Sequence, residues 1–363
     1  MVEIPTVNER LFSQWETLEN LLFPLSTRID PKLLLFSITS RCNSRCIMCN
    51  IWQEEVPDEL TLGQISRMLD DPAFRSIENV TLTGGEPTLR ADIGQIAKLL
   101  IKNCSNLRNI DVPSNGLQRE LVISAAQDLH EACKGTNVRF NFAFSLDGIG
   151  AAHGKVRGIH NAFERTSGTI DAVSELRRAL DFDIHVHSVV TKVNIDSLID
   201  VINWCAKRGL SHSFEVAHQW QRFSNEDSSF SLTKQQELEF LAILWNRIGS
   251  SSCSYYDWMT YRMARMGKRR SITCPFVVNG FNVQPNGDVF YCPNFKRIGN
   301  IFENKVSEIY YSERNLHYRE LIKKDGCAHC TQSCGWLSIL NRDVLQTLQF
   351  SVISRLKRKR RVS

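Results

Sequence analysis

The chain has 363 residues, of which 42% are hydrophobic and 23% charged, a composition typical of a globular protein with an ample core. Acidic side chains near the start disfavour a secretory signal, and no stretch approaches the roughly 20 apolar residues of a membrane-spanning helix, so we expect a cytoplasmic protein. The net charge of +5 depends on six basic residues between positions 355 and 361; the remainder is nearly neutral, and binding to nucleic acid is not expected.

Six strand–helix units are predicted after an N-terminal helical segment, residues 1–30. From about residue 33, short apolar or β-branched runs alternate with longer helical patterns, and the predicted strands are LLLFSIT, ENVTLTGG, LRNIDVPSNG, VRFNFAFSLDG, FDIHVHSVVT and HSFEVAH. Such alternation predicts parallel strands joined by right-handed crossovers. Because six units are too few for an eight-stranded barrel, residues 31–220 are predicted to form a partial (β/α)6 TIM-like barrel of the α/β class.

Chemically distinctive residues stand at the ends of the first four predicted strands. Three cysteines follow the first strand, TGGEP the second, PSNG the third and SLDG the fourth. In barrel enzymes, the loops that follow the strands form the active-site face. We therefore expect these four loops to meet in one site at the carboxyl ends of the strands.

The rest of the chain is predicted to contain three further segments. Residues 221–270 are polar and helical in pattern, which predicts a helical connector. In CPFVVNGFNVQPNGDVFYCPNF, the PNGD between two alternating runs predicts the turn of a β-hairpin. The hairpin and the cysteines after it predict a small β-hairpin/helix domain over residues 271–335, followed by a C-terminal helix with a basic tail over residues 336–363.

The first cysteine cluster, Cys42, Cys46 and Cys49, has the spacing C-x3-C-x2-C. In a reducing compartment, clustered thiols are metal ligands rather than disulfides, and thiolates bind zinc or iron–sulfur clusters. A structural zinc site takes four ligands, whereas three cysteines can hold three irons of a 4Fe–4S cluster and leave the fourth iron open to a small molecule. This favours the cluster; a non-catalytic zinc-binding module and a ferredoxin-like electron carrier are the alternatives.

The cysteine loop after the first strand and Gly84-Gly85-Glu86-Pro87 after the second together resemble the radical S-adenosylmethionine (SAM) superfamily, over roughly residues 33–220. The resemblance implies that the open iron chelates the amino and carboxylate groups of SAM. It also implies reductive cleavage of SAM to methionine and a 5′-deoxyadenosyl radical, which abstracts hydrogen from a substrate. A reductant such as flavodoxin or ferredoxin would supply the electron.

The resemblance implies SAM-binding roles for residues in four loops. The glycine pair would allow close approach of the ligand, Glu86 would accept hydrogen bonds from the SAM ammonium, and Arg157 would pair with the SAM carboxylate. The implied SAM-binding residues are Gly84, Gly85, Glu86, Pro87, Ser114, Asn115, Ser145, Asp147 and Arg157. The alternative for each is a turn former or a surface charge. Two positions depart from the family pattern, because Met48 replaces a residue that is often aromatic and Gly154 replaces one that is commonly acidic.

The C-terminal cysteines resemble the SPASM domain of radical SAM enzymes, or its shorter twitch form. The implied ligands of an auxiliary 4Fe–4S cluster are Cys274, Cys292 and Cys327, with either Cys330 or Cys334 as the fourth. A complete SPASM pattern has seven cysteines and two clusters, so the five cysteines here favour one auxiliary cluster; a zinc ribbon is the alternative. Sulfatase maturases of the family place a carboxylate after the cysteine that closes the hairpin, where this chain has Pro293 and Asn294.

The substrate is predicted from the same resemblance. The twitch-like cysteine count resembles members that oxidise or epimerise carbohydrates, so we expect a carbohydrate or another small molecule, with modification of a peptide as the alternative. His185 and His187 share one face of the fifth strand and are candidate catalytic residues, although strand histidines are often structural. The basic C-terminal end can associate weakly with an anionic membrane surface, or it can be a solvated tail after a core-docking helix.

Overall fold

The computed structural model of the protein describes residues 29–56, 58–220, 223–225, 229–248, 257–258, 260–261, 274–322, 350–352 and 354–355. Nearly all of the predicted N-terminal helical segment, much of the predicted connector and nearly all of the predicted C-terminal helix with its basic tail lie outside these residues. Cys327, Cys330 and Cys334 lie outside them too. Among the described helices, none combines the length and the apolar character needed to cross a membrane.

The described strands form one sheet. They are β1 (Leu33–Thr39), β2 (Asn79–Gly84), β3 (Asn109–Ser114), β4 (Arg139–Ser145), β5 (Asp183–Val190), β6 (Ser211–Val216), β7 (Gly280–Val283), β8 (Asp288–Phe290) and β9 (Gly299–Asn300). Their order in the sheet is β6-β5-β4-β3-β2-β1-β7-β8-β9. Strands β1 to β5 each pair in parallel with the next strand along the chain, so that β6 is an edge strand of the described sheet, and this arrangement confirms the predicted partial barrel of the α/β class.

The helices follow the strands as the predicted repeat requires. They are α1 (Leu62–Leu69), α2 (Ile93–Asn103), α3 (Arg119–Cys133), α4 (Ala151–Arg157), α5 (Ala162–Arg177), α6 (Leu198–Lys207), α7 (Lys234–Arg247), α8 (Pro275–Asn279), α9 (Val306–Tyr311) and α10 (Glu313–Leu321). Short 3-10 helices lie at Ile51–Gln53, Pro72–Phe74, Pro87–Leu89 and Ile195–Ser197. The crossover after β4 contains two helices, α4 and α5, because Gly158 adopts a left-handed conformation and ends α4.

Each barrel strand buries one face against the helices and turns the other toward the interior of the barrel. In β4, Phe140, Phe142 and Phe144 are almost completely buried, whereas the alternating residues Asn141 and Ser145 are partly exposed. A closed TIM barrel fills its interior with branched apolar side chains. The polar interior here is instead suited to holding a ligand and to forming hydrogen bonds between strands.

The C-terminal hairpin is an extension of the barrel sheet. Strands β7 and β8 pair in antiparallel fashion around the predicted turn, where Gly287 has a positive φ of 83°. Strand β7 also pairs in parallel with β1, from Leu33 opposite Gly280 to Phe36 opposite Val283. The hairpin was predicted, but its attachment to β1 was not, since no local pattern specifies pairing between segments so distant in the sequence.

The helix α7, in the segment predicted to be a connector, packs on the outside of the barrel. Its residues Phe240 and Leu244 are buried in a cluster with Val190, Leu198 and Phe214. These partners belong to β5, α6 and β6. Helix α7 therefore contributes to the hydrophobic covering of the last two barrel strands.

Candidate active site

A cavity with about 930 Å³ of empty volume lies at the carboxyl ends of the barrel strands. The residues predicted from the sequence that line it are Cys42, Cys46, Cys49, Gly84, Gly85, Glu86, Ser114, Asn115, Ser145 and Arg157. Four predicted residues, Pro87, Asp147, His185 and His187, are described by the structure but are not part of this lining. The four loops expected to meet therefore do meet, with the cysteines on the wall of the same cavity.

Gly84, the last residue of β2, and Gly85, which follows it, allow the end of β1 and the start of the cysteine loop to come close. A Cβ atom on Gly84 would lie 2.0 Å from the carbonyl oxygen of Thr39, and one on Gly85 would lie 2.2 Å from that of Arg41. The amide of Gly85 donates to Thr39 (2.8 Å), and the next amide donates to Arg41 (2.8 Å). Both glycines also line the cavity, where the approach of a ligand to them stays a prediction.

A second glycine holds the cysteine loop from the other side. Gly158 has a φ of +64°, and a Cβ atom there would lie 2.1 Å from the carbonyl oxygen of Arg45. The amide of Arg45 donates to the carbonyl of Arg157 (2.9 Å), and the amide of Ile47 donates to that of Val156 (3.0 Å). The loop is therefore fixed between the residues after β2 and the end of α4.

Glu86 joins the loops after β2 and β3. Its Oε1 accepts hydrogen bonds from the backbone and hydroxyl of Thr88 (3.2 and 2.7 Å) and from the hydroxyl of Ser114 (2.9 Å), and its Oε2 accepts one from the amide of Asn115 (2.7 Å). Burial raises the pKa of Glu86, and these hydrogen bonds oppose that increase. A carboxylate has about four acceptor positions. Because Oε1 already accepts three hydrogen bonds, a further donor is expected to bind at Oε2.

Arg157 places a buried guanidinium beside a cysteine. Its Nε donates to Asp147 Oδ2 (2.5 Å), its Nη1 lies 3.5 Å from Cys46 Sγ, and its Nη2 is buried with no partner in the described part of the chain. Burial opposes the charge, but Asp147 and Cys46 outweigh that cost and raise the pKa of Arg157 above its ordinary value. The guanidinium is therefore charged, with one hydrogen-bonding edge left for an anionic ligand.

Asp147 lies behind Arg157 and not in the cavity wall. Its side chain is completely buried, and its Oδ1 accepts a hydrogen bond from the amide of Val189 (2.8 Å). The amide of Asp147 donates to Nδ1 of His153 (3.0 Å), a residue whose pKa is lowered by burial to about 4. The structure gives Asp147 the geometry of a residue that orients Arg157, and its contact with SAM stays a prediction.

The loop after β3 is also tied to the cysteine loop. Asn115 donates from Nδ2 to Oδ1 of Asn43 (2.7 Å), and its own Oδ1 accepts from the amide of Leu117 (2.9 Å). Ser145, at the end of β4, lines the cavity with a partly exposed side chain. Both predicted residues are thus placed at the cavity, with Asn115 also supporting the loop that carries the cysteines.

The three cysteines of the loop fit an iron–sulfur cluster by donor type and surroundings. Burial raises the pKa of Cys42 to about 11, so this thiol keeps its proton until a metal displaces it. The hydroxyl of Ser44 lies 3.1 Å from Cys46 Sγ, and hydrogen bonds to sulfur are one way in which proteins tune such clusters. In the described part of the chain no three His, Cys, Asp or Glu side chains are gathered around a point suited to a single ion; cysteines that hold a cluster bind different irons.

The predicted auxiliary site is only partly within the described residues. Cys274 is buried and directly precedes α8, the short helix that leads into β7. Cys292 is partly buried two residues after β8. The two cysteines therefore flank the hairpin, as predicted. The other three predicted ligands are outside the described residues, so the ligand set stays a prediction.

Among the lining residues that were not singled out from the sequence, five have side chains of particular interest: Trp52, Thr83, Val189, Glu215 and His218. Strand alternation would have found three of them, because Thr83, Val189 and Glu215 occupy interior positions near the carboxyl ends of predicted strands. The other two follow from loop conformation, and no local pattern predicts how a loop directs its side chains.

Comparison with known proteins identifies two families and several relatives. Residues 36–216 match the radical SAM superfamily, and residues 274–334 match SPASM, an iron–sulfur cluster-binding domain. The chain is 27% identical over 208 residues to the pre-heme d1 synthase of Dinoroseobacter shibae, and the matched region covers 55% of this chain and 48% of the synthase. The chain is also 24% identical over 301 residues to the sporulation killing factor maturation protein SkfB of Bacillus subtilis, and this matched region covers 80% of this chain and 67% of SkfB.

A solved structure gives the same fold. Streptococcus suis SuiB bound to precursor peptide SuiA has a TM-score of 0.60 with this chain at 15% identity, over 92% of this chain and 82% of SuiB. The chain spans about half the length of the pre-heme d1 synthase and about two thirds of SkfB. The two family matches imply a SAM-binding 4Fe–4S cluster, auxiliary iron–sulfur binding and SAM as cofactors. We conclude from these matches, the cavity and the cysteine loop that the chain belongs to the radical SAM superfamily and carries a SPASM domain.

Proposed function

We propose that this radical SAM enzyme abstracts hydrogen from a peptide and thereby modifies it. The proposal is carried by the extent of the matches: the one to SkfB covers 80% of the chain, whereas the one to the pre-heme d1 synthase covers 55%. A match of 301 residues must extend well beyond the barrel. The fold match to SuiB, which was solved with a precursor peptide, extends over 92% of the chain and supports the same substrate class.

The peptide hypothesis replaces the carbohydrate hypothesis as the preferred one. Oxidation or epimerisation of a carbohydrate was predicted from the number of C-terminal cysteines. The relatives that match the largest part of this chain favour a peptide instead. One auxiliary cluster held by cysteines of residues 271–335, and an external reductant such as flavodoxin or ferredoxin, remain part of the proposal.

The cavity residues are suited to holding the amino-acid end of SAM. When bound, the cluster and SAM supply a 5′-deoxyadenosyl radical that abstracts hydrogen from the substrate. The Nη2 edge of Arg157 can donate to a carboxylate, and Oε2 of Glu86 can accept from an ammonium. The backbone hydrogen bonds on both sides of the cysteine loop keep these groups in fixed relative positions, which is the main requirement for orienting two reactants.

The substrate class is tested by following deuterium from substrate to 5′-deoxyadenosine. The anaerobically reconstituted, full-length enzyme is incubated with SAM, dithionite and one of two deuterated pools. One pool contains synthetic peptides encoded by the reading frames beside the gene, and the other contains perdeuterated hexoses and aminosugars. We expect deuterium in 5′-deoxyadenosine with the peptide pool alone. Deuterium transfer from the sugar pool alone would restore the carbohydrate hypothesis.

A further inference from the structure

A continuous row of polar side chains runs through the barrel interior between β5 and β6. Glu215 Oε2 lies 3.3 Å from Nε2 of His187, whose Nδ1 lies 2.9 Å from the hydroxyl of Ser213. That hydroxyl lies 2.6 Å from Nε2 of His185, whose Nδ1 lies 2.8 Å from the hydroxyl of Ser211. The parallel register places His185 opposite Ser211 and His187 opposite Ser213, so the alternation of histidine and serine follows from strand pairing.

The upper end of this row faces the cavity. Glu215 is part of the cavity lining, and its side chain is 17% exposed. Its Oε2 is directed to His187, whereas its Oε1 is buried and has no hydrogen-bond partner among the described residues. An unpartnered carboxylate oxygen is costly to bury. A substrate group that donates a hydrogen bond or a proton to Oε1 would remove this cost.

The lower end of the row reaches the opposite side of the barrel. Ser211 is the first residue of β6 and is exposed, whereas Glu215 is near the last, about 13 Å further along a strand. The row thus connects the cavity with solvent by a route that does not pass through the cavity mouth. Bound substrate can close that mouth without closing this route.

The chemistry of the row suits proton movement. A neutral imidazole has one nitrogen that donates and one that accepts, and a serine hydroxyl can donate to one ring while it accepts from the other. Burial, together with the nearby imidazole of His187 and guanidinium of Arg247, lowers the pKa of His185 to about 3, so this ring is neutral at ordinary pH. Each member can therefore receive a proton on one side and release one on the other.

We propose that Glu215 accepts a proton from the substrate at Oε1 and that His187, Ser213, His185 and Ser211 conduct one proton from it to solvent. The substrate group loses H⁺ and Glu215 becomes a carboxylic acid; transfer along the row then restores the carboxylate and releases one H⁺ at Ser211. A group next to a carbon-centred radical is much more acidic than in the intact molecule, which provides the donor. The inference rests on the proposed function to the extent that the substrate occupies this cavity.

The geometry favours this role over two others. A purely structural network would satisfy both oxygens of Glu215, but Oε1 has no partner in the described residues. Recognition of a cationic side chain needs the carboxylate alone and gives no reason for four further residues to extend to solvent. The 3.3 Å contact between Glu215 and His187 is the longest step in the row, and such contacts often tighten when substrate binds.

The decisive variant is Ser213→Ala, which interrupts the row without changing Glu215. Its matched control is Ser188→Ala on β5, because the hydroxyl of Ser188 also bonds a buried histidine, Nε2 of His212 (2.8 Å), but outside the barrel interior. The measurement uses the holoenzyme, SAM and the peptide that transfers deuterium, and it records modified peptide formed per 5′-deoxyadenosine. We expect Ser213→Ala to lower this ratio at least tenfold, Ser213→Thr to recover it, and Ser188→Ala to change it less than twofold.

A second variant separates proton transfer from a structural role and from recognition of a cation. Glu215→Gln keeps the shape but cannot accept the proton, and we expect kcat for peptide modification to fall at least 100-fold. A rise in KM with unchanged kcat would indicate recognition of a cation and would overturn the proposal. Equal ratios for Ser213→Ala and Ser188→Ala would do the same.

A spectroscopic test does not depend on the substrate. Histidine labelled with ¹⁵N in the oxidised holoenzyme reports which ring nitrogen of His185 and His187 carries the proton. We expect the ring of His185 to be neutral and Ser213→Ala to change the signals of both rings, since it removes their shared partner. Unchanged signals of both rings would overturn the proposed row, whereas failure of the peptide pool to transfer deuterium would affect the substrate class alone.

Discussion

The rim of the barrel and its interior both carry polar side chains, but they hold them in different ways. At the rim, the cysteine loop is fixed mainly by backbone hydrogen bonds, to the residues after Gly84 on one side and to Val156 and Arg157 on the other. In the interior, hydrogen bonds join side chains on paired strands, as between His185 and Ser213. The structure of the rim depends on where glycine permits close contact between backbone segments. The hydrogen bonds of the interior depend on which residues the strand register places side by side.

The structural effect of a substitution is therefore expected to differ between the rim and the interior. A change at a rim glycine displaces backbone and so moves several of the cluster's ligands together. A change in the interior removes one side-chain contact and leaves the backbone in place.

Replacing the rim cysteines together, as Cys42→Ala, Cys46→Ala and Cys49→Ala, is expected to abolish 5′-deoxyadenosine formation from SAM. The reason is that all three line the cavity and no thiolate would remain there to hold the cluster. The measurement is chromatography of 5′-deoxyadenosine after incubation with dithionite, with iron and sulfide analysis of the same sample. Cys133→Ala, on α3 and away from the cavity, is the control and should retain activity; product from the triple variant at the control's level would exclude this cluster site.

Gly158→Ala is expected to lower the free energy of unfolding by about 2 kcal/mol or more and to reduce the iron content. The added Cβ would lie 2.1 Å from the carbonyl oxygen of Arg45 in a backbone with positive φ, so the cysteine loop would have to move. Denaturant unfolding and metal analysis measure the two effects. Gly63→Ala in α1, where no atom lies within 4 Å of the added Cβ, is the control and should be neutral or stabilising by up to about 1 kcal/mol. Equal behaviour of the two variants would contradict the proposed packing.

Acidification is expected to destabilise the protein through its buried neutral histidines. Burial lowers the pKa of His153 at the rim to about 4 and that of His185 in the interior to about 3, against an ordinary value near 6.5. The unfolded state binds more protons in this range, so stability is present above pH 6.5 and is lost as the pH falls toward 4, by up to about 3 kcal/mol for His153.

The variant His153→Gln tests this expectation, because an amide can still accept from the amide of Asp147 but does not titrate. Urea unfolding between pH 4 and pH 7 should show a shallower loss of stability than in the parent chain, with the part due to His185 retained. His160→Gln, at an exposed position, is the control for the loss of a histidine. A slope unaffected by His153→Gln would show that the rim histidine does not contribute.

Arg157→Lys is expected to weaken SAM binding by about tenfold, which is about 1.4 kcal/mol. Lysine keeps the charge but loses the second hydrogen-bonding edge, the Nη2 that has no partner among the described residues. Equilibrium binding of SAM to the reconstituted enzyme measures the change. Arg178→Lys, an exposed residue paired with Glu175, is the control. Identical SAM affinity for both variants would remove Arg157 from the set of ligand-binding residues.

The sequence predicted those parts of the site that local chemistry determines. The six strands followed from alternating apolar residues, and placing the cysteines and GGEP after strands brought them to the same rim. Local sequence could not show that Gly84 and Gly158 accommodate the backbone of another segment, because that contact is long-range. The position of Asp147 behind Arg157 likewise depends on how α4 packs against β5, which no nearby residue specifies.

The interior was partly predictable. The shared face of His185 and His187 was evident from their spacing, but their partners Ser211, Ser213 and Glu215 depend on the register between β5 and β6. A shift of one residue would have turned the serines away from the histidines. Candidate catalytic residues on a strand can therefore be judged only together with the strand beside them.

The pairing of β7 with β1 also has a consequence for how the protein is made. The strand that leads into the cysteine loop has β2 on one flank and β7 on the other, and β7 belongs to the last part of the described chain before the C-terminal helices. During synthesis, the second edge of β1 has no partner until the ribosome has translated the whole barrel and the segment that follows it. Contacts between such distant segments form late in folding, so assembly of the metal centre is expected to follow translation of β7 rather than that of the cysteine loop.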